Sequence, residues 1–148
     1  RPILVEIQAL VTPSNFGYPK RTSSGFDLNR LNLLVAVLQR RTKLDLSDKD
    51  IFINVVGGLK LNDQAADLAV AMAVASAAAK RKLSDGVVVF GEVGLGGEIR
   101  SVVQADRRIA EAKKLGFTNA IAPKVSNKTD KFITPVKDLR EALVKYLQ

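Results

Sequence analysis

The sequence contains no cysteine and no histidine. Without cysteine there are no disulfides and no thiolate sites, and a reducing compartment is compatible with the chain. Without histidine every Ser-His and Cys-His mechanism is excluded, and a structural zinc site loses its commonest remaining ligands. No apolar run approaches the roughly 18 residues a membrane span requires, because Asp67 interrupts the longest candidate. No G-x-x-x-x-G-K-[ST] occurs, so this chain does not bind ATP in the P-loop manner. The opening RPILVEIQALV has no basic stretch followed by a cleavage site, so no signal peptide is read. Starting abruptly in a strand-like run, it has the look of a domain cut from a longer chain.

What is present suits one domain spanning residues 1–148. The chain has 148 residues, of which 47% are hydrophobic, enough for a core of its own. Its net charge of +8 is unevenly placed. Ser14 to Lys43 carries six basic residues against Asp27 alone, and Arg100 to Lys131 carries eight against Asp106, Glu111 and Asp130. Between them Leu44 to Glu98 is net acidic. Two basic segments suit a polyanion such as nucleic acid if the fold joins them; ordinary solvated faces are the bland alternative.

The stretch around which the chain is organised is VVGGLKLNDQAADLAVAMAVASAAAK, Val55 to Lys80. It reads as a strand end, a Gly57-Gly58 turn, a short loop and a helix capped by Asn62 or Asp63. From Ala65 to Ala79 only Asp67 and Ser76 are polar, so the helix is buried on several sides. Such a junction favours a nucleophile or an anion, yet Gln64, Ala65, Ala66 and Asp67 supply no usual nucleophile.

Along the rest of the chain, Pro2 to Val11 reads as a strand and Thr12 to Ser24 as a loop or a loose hairpin. A helix runs from Asp27 to about Arg41, with Leu28, Leu31, Leu34, Val35 and Leu38 as its stripe. Asp50 to Val56 is a strand, with Ile51, Ile53 and Val55 on one face. The lysine–arginine run at Lys80, Arg81 and Lys82 suits the end of the central helix. Val87 to Val93 reads as one buried strand, Gly94 to Gly97 as a turn and Glu98 to Val103 as the returning strand. Helices follow at Ala105 to Leu115 and Val136 to Leu147, with a short strand at Asn119 to Pro123 and a polar loop at Lys124 to Asp130. This is an α+β pattern. Asp45, Asp48 and Asp50 imitate a calcium loop only in spacing and lack its glycine and distal glutamate.

Basic residues in apolar or lightly charged segments stand out: Lys20 and Arg21, Arg30 among leucines, and Lys60 within VVGGLKL. A cation in such a place reaches solvent, meets an anion such as phosphate, or pairs with an internal carboxylate, for which Asp67 is the candidate. Arg107, Arg108, Lys113 and Lys114 fit a solvated helix face equally well.

LVEIQALV, R-x-x-x-G-F-D-x-N-R-L, INVVGGLKL, DLAVAMAVAS and VVFGEVGLGGEIR, in this order, resemble the C-terminal domain of the RadA (Sms) family of bacterial DNA-repair proteins. That domain is in turn similar to the proteolytic domain of Lon. The resemblance covers essentially the whole chain. It implies a Lon-like α+β fold of the ribosomal protein S5 domain 2-like kind, and a cytoplasmic parent with a zinc motif and a RecA-like ATPase upstream. ATP, magnesium and zinc would belong to those upstream parts, and no cofactor to this domain. Implied partners are single-stranded or branched DNA, further copies of the protein in a ring such as a hexamer, and a recombinase; no membrane is implied.

The Lon-type Ser-Lys dyad, carried over by its D-G-P-S-A-G motif and the following helix, falls on Ala66 and Asp106. Neither residue has the required group. The resemblance therefore implies a non-proteolytic domain that serves as DNA-binding and ring-forming scaffold. Arg21, Arg30 and Lys60 are the leading candidates to contact phosphate, followed by Lys20, Arg40, Arg41, Arg107 and Arg108. A pure oligomerisation module and a residual serine peptidase are the alternatives.

Overall fold

The structure is a computed structural model that describes residues 2–15, 17–125 and 130–147. Strands β1 (Ile7–Pro13), β2 (Arg21–Ser24) and β3 (Lys49–Val55) form one sheet in the order β1-β3-β2. β1 runs antiparallel to β3, and β2 runs parallel to it. Along β3, Ile51, Ile53 and Val55 are buried while Phe52 and Asn54 are exposed, the alternation that a half-covered sheet imposes.

β2 corrects the expectation of a loop or a loose hairpin from Thr12 to Ser24, because it pairs with β3 and not with β1. Arg-Thr-Ser-Ser has no apolar alternation, so its strand conformation comes from pairing with β3. The parallel contact continues in a bridge between Phe26 and Leu61. Gly25 permits that approach: its φ is +87°, and a Cβ there would meet the Leu59 carbonyl and lie 2.7 Å from Val55 Cβ.

Helix α1 (Leu28–Arg41) begins at Asp27, whose carboxylate accepts the Arg30 N–H at 2.9 Å. Leu31, Leu34, Val35 and Leu38 form its buried stripe as expected, but Leu28 in the first turn is exposed. α2 (Asp67–Ala79) follows a 3-10 turn at Gln64–Ala66, capped by Asp63, which accepts the Ala65 N–H at 2.9 Å. The even apolarity of α2 fits its position, because β1, α1 and the last helix all pack on it. Lys80 closes it in the left-handed conformation, φ 55°. Lys80, Arg81 and Lys82 thus lie past the last turn, all exposed, rather than within it.

A second, parallel sheet has the order β4 (Val87–Val89), β7 (Asn119–Ala122), β8 (Ile133–Pro135). The β-branched run is therefore not one strand to Val93. It breaks at Gly91, and β5 (Glu92–Val93) turns back against β6 (Ile99–Arg100) in the hairpin expected from GEVGLGGE. At the break the Gly91 N–H donates to the Ala65 carbonyl at 2.9 Å, and the Leu68 N–H donates to Gly91 at 3.0 Å. A Cβ at Gly91 would stand 2.9 Å from Ile99 Cγ2. These contacts fasten the hairpin to the start of α2.

Helix α3 (Ala105–Lys114) sits over a smaller core of Phe90, Ile109, Ala112, Ala120, Ala122 and Phe132. α4 (Leu139–Tyr146) starts three residues later than the sequence suggested, because Val136 follows β8 directly and Asp138 caps the helix by accepting the Glu141 N–H at 2.8 Å. Much of the expected Lys124 to Asp130 loop lies outside the described residues.

Candidate nucleic-acid interface and the degenerate junction

The start of α2 is held by charge. Asp67 is fully buried, and its carboxylate receives both Nε and Nη2 of Arg30 from α1; the Nε bond is 3.0 Å long. The Val93 N–H donates to the same carboxylate at 3.1 Å, and Arg30 Nη2 also donates to the Val93 carbonyl at 3.2 Å. One ion pair therefore joins α1, α2 and the hairpin. The hydrogen bond to Asp67 raises the pKa of the Arg30 guanidinium above its ordinary value, against partial desolvation. Of the fates open to a cation among leucines, Arg30 has the internal carboxylate as its partner, with 23% of its side chain still exposed.

Ala66, to which the Lon resemblance assigns the nucleophile, is half-buried beside a cavity of about 580 Å³ that Ala69, Ala73 and Leu115 also line. At one end Asp63 pairs with Arg108 of α3 at 2.7 Å, and Arg108 Nε donates to the Val103 carbonyl at 3.1 Å. Burial pushes the Asp63 carboxyl up, but the Ala65 N–H and Arg108 outweigh it and hold it below its ordinary value. Asp106, to which the same resemblance assigns the lysine, is exposed and lines a different cavity, about 500 Å³, with Ser101, Arg107 and Lys124. Ala66 and Asp106 thus border separate cavities.

The basic candidates separate into four groups. Arg30 and Arg108 are ion-paired as described. Arg41 is exposed, donates to the Leu95 carbonyl at 3.4 Å and lies beside Gly97 in the hairpin turn. Lys20, Arg40, Lys60 and Arg107 are exposed, and their side chains make no hydrogen bond or ion pair among the described residues. Arg21 is half-buried on β2, and its Nη2 donates to the Leu46 carbonyl at 3.1 Å. Burial lowers its pKa, against the opposing pull of Asp50.

The fold brings Arg21 and Arg40 together. β2 and α1 flank a groove of about 670 Å³ lined by both arginines and by Pro19, Asn32, Val35, Ala36 and Gln39, with no carboxylate among them. Asn32 and Gln39 escaped sequence reasoning, which followed charge; their seven-residue spacing on one helix face was the available signal. Lys60 and Arg107 are not in this groove.

Residues 21–126 match the family model described as subunit ChlI of Mg-chelatase. The chain belongs to this ChlI family. It is also similar to curated proteins named DNA repair protein RadA. The Salmonella typhimurium protein is 52% identical over 123 residues, which are 83% of this chain and 27% of that protein. The Aquifex aeolicus protein is 46% identical over 145 residues, 97% of this chain and 33% of that protein. The Rickettsia bellii protein is 45% identical over 141 residues, 95% of this chain and 32% of that protein. The resemblance drawn from INVVGGLKL and FGEVGLGGEIR thus holds along nearly the whole chain, which spans about a third of the length of these relatives. Among the described residues of this ChlI-family chain, no helix is long and apolar enough to cross a membrane.

Proposed function

We propose that this chain is a non-proteolytic, Lon-like domain at the C-terminal end of a cytoplasmic DNA-repair protein. In this reading it binds DNA and scaffolds a ring, such as a hexamer, for upstream parts in which a zinc motif holds zinc and a RecA-like ATPase holds ATP and magnesium. The assembly would work with a recombinase on single-stranded or branched DNA. The name shared by the RadA relatives supports a repair role. The observation that supports DNA binding is the groove lined by Arg21 and Arg40, from separate elements. Cations so placed neutralise phosphates without reading sequence.

An affinity series of this chain with a fluorescent oligonucleotide at rising salt tests the reading. Log affinity falling linearly with log salt, alike for unrelated sequences, is expected; no binding at low salt would overturn it. The second reading, a pure oligomerisation module, is favoured by the outer face of the first sheet. There Leu10 and Phe52 stand opposite one another, 59% and 36% exposed.

A further inference from the structure

We infer that the cavity bordered by β4 and the start of β1 holds a short extended segment of a protein partner, which adds a strand to the open edge of β4. It shares no lining residue with the α1–β2 groove, so this inference and DNA binding can fail independently.

β4 is an outer strand, paired with β7 alone. The Phe90 N–H donates to the Ile121 carbonyl at 3.1 Å, and the Asn119 N–H donates to the Gly86 carbonyl at 3.3 Å. Even-numbered residues here turn their backbone groups to β7, and Val87 and Val89 turn theirs the other way. Gly91, next in that phase, bonds the head of α2 through both its N–H and its carbonyl. The open edge therefore faces α2, and among the described residues no backbone group pairs with Val87 or Val89 there.

The chain leading into β1 borders the same space. The Val56 N–H donates to the Glu6 carbonyl at 3.0 Å, so Val5 and Ile7 direct their backbone groups away from β3. Residues 2–7 and 87–90 all line the cavity, together with Ala69 and Ala73, one turn apart on α2 and half-buried. Their small side chains leave room for those of an added strand. Strand edges are ordinarily blunted by charge or proline, as β8 is by Pro135 on the far side of this sheet. Val87, Val88 and Val89 supply neither. Backbone donors and acceptors beside an apolar recess fit an extended peptide, which satisfies both at once.

Charge narrows the occupant. The lining holds Glu6, Asp63 and Glu111 against Arg108 alone, net acidic in a chain of net charge +8. It repels a polyanion and suits an apolar segment that carries a basic residue. No serine, threonine, cysteine or lysine lines it, so the segment meets no nucleophile of those kinds.

The test titrates isotope-labelled chain with the end-blocked peptide Lys-Val-Thr-Val-Thr-Val, following amide resonances and amide exchange. In the free chain Val87 and Val89 should exchange faster than Val88 and Phe90. The peptide should shift the Val87 and Val89 amides saturably and slow their exchange. The same peptide N-methylated at its valines should bind roughly tenfold more weakly, having lost those donors. Glutamate in place of its lysine should weaken binding roughly two- to fivefold. Ala73→Leu fills the space and should abolish binding, with a melting temperature no lower than wild type showing that it folds. If that variant melts lower, the N-methylated peptide decides alone. Equal binding of the N-methylated peptide would overturn strand addition. No saturable shift at Val87 and Val89 would overturn the site. Shifts there that follow dilution of the chain alone would overturn the partner, making a second copy the occupant.

Discussion

Arg30 and Asp67 form an unequal ion pair: the carboxylate is fully buried at the head of α2, while the guanidinium keeps 23% of its side chain exposed. The two ends therefore differ in what their removal leaves behind. Arg30→Ala strands a buried anion whose remaining donor is the Val93 N–H, and should cost about 3 kcal/mol or more. Asp67→Asn keeps an acceptor for Val93 and leaves a cation that can swing toward water, at a smaller cost of about 1–2 kcal/mol. Denaturant melts of both variants check the order; equal costs would mean that Arg30 does not hold the carboxylate.

Asp63 links folding to acid. Its carboxyl is depressed in the folded chain relative to an unfolded one, so its stabilising contribution is present above the ordinary carboxylate range and fades as pH falls through the folded value. Asp63→Asn keeps the acceptor for the Ala65 N–H but loses the charge facing Arg108. It should be less stable than wild type near neutral pH, with the gap closing in strong acid and narrowing in salt. Paired melts at pH 7 and pH 3 read this directly. A gap unchanged by pH would show that the ion pair contributes nothing.

Ala66 and Asp106 give a different kind of prediction. Ala66→Ser together with Asp106→Lys would place a serine and a lysine where the Lon resemblance puts them, but not the glycine and proline of the Lon motif, and the two positions border separate cavities. The double variant should hydrolyse no fluorogenic peptide above background, and wild type should take no serine-directed label. Single-site labelling of wild type with loss of a hydrolytic activity would establish a peptidase instead.

Much of this arrangement was legible in the residues. The leucine spacing after Asp27 located α1, the alternation Ile51-Ile53-Val55 located β3, and the glycines of GEVGLGGE located the hairpin. Asp67, a lone acid on an apolar helix, is legible as one partner open to Arg30 or Lys60, beside phosphate, and it pairs with Arg30. β2 stayed hidden because its four polar residues owe their conformation to β3, a long-range pairing with no local sign. The break at Gly91 was hidden by valines on both sides of it. The groove was hidden for a third reason: it is made by two segments brought together by the sheet, and half its polar lining is neutral.

The central claim is that the two arginines of the α1–β2 groove bind phosphate while Arg30 serves the fold. One comparison tests it: salt-dependent oligonucleotide affinity and melting temperature, measured together for Arg21→Ala/Arg40→Ala and for Arg30→Ala. The groove double variant should lose roughly two from the magnitude of the salt slope with little change in melting temperature, since Arg40 is unpaired and Arg21 gives up one carbonyl contact. Arg30→Ala should melt several degrees lower, as a loss of about 3 kcal/mol requires. An unchanged salt slope in the groove variant, with both variants melting alike, would contradict the account.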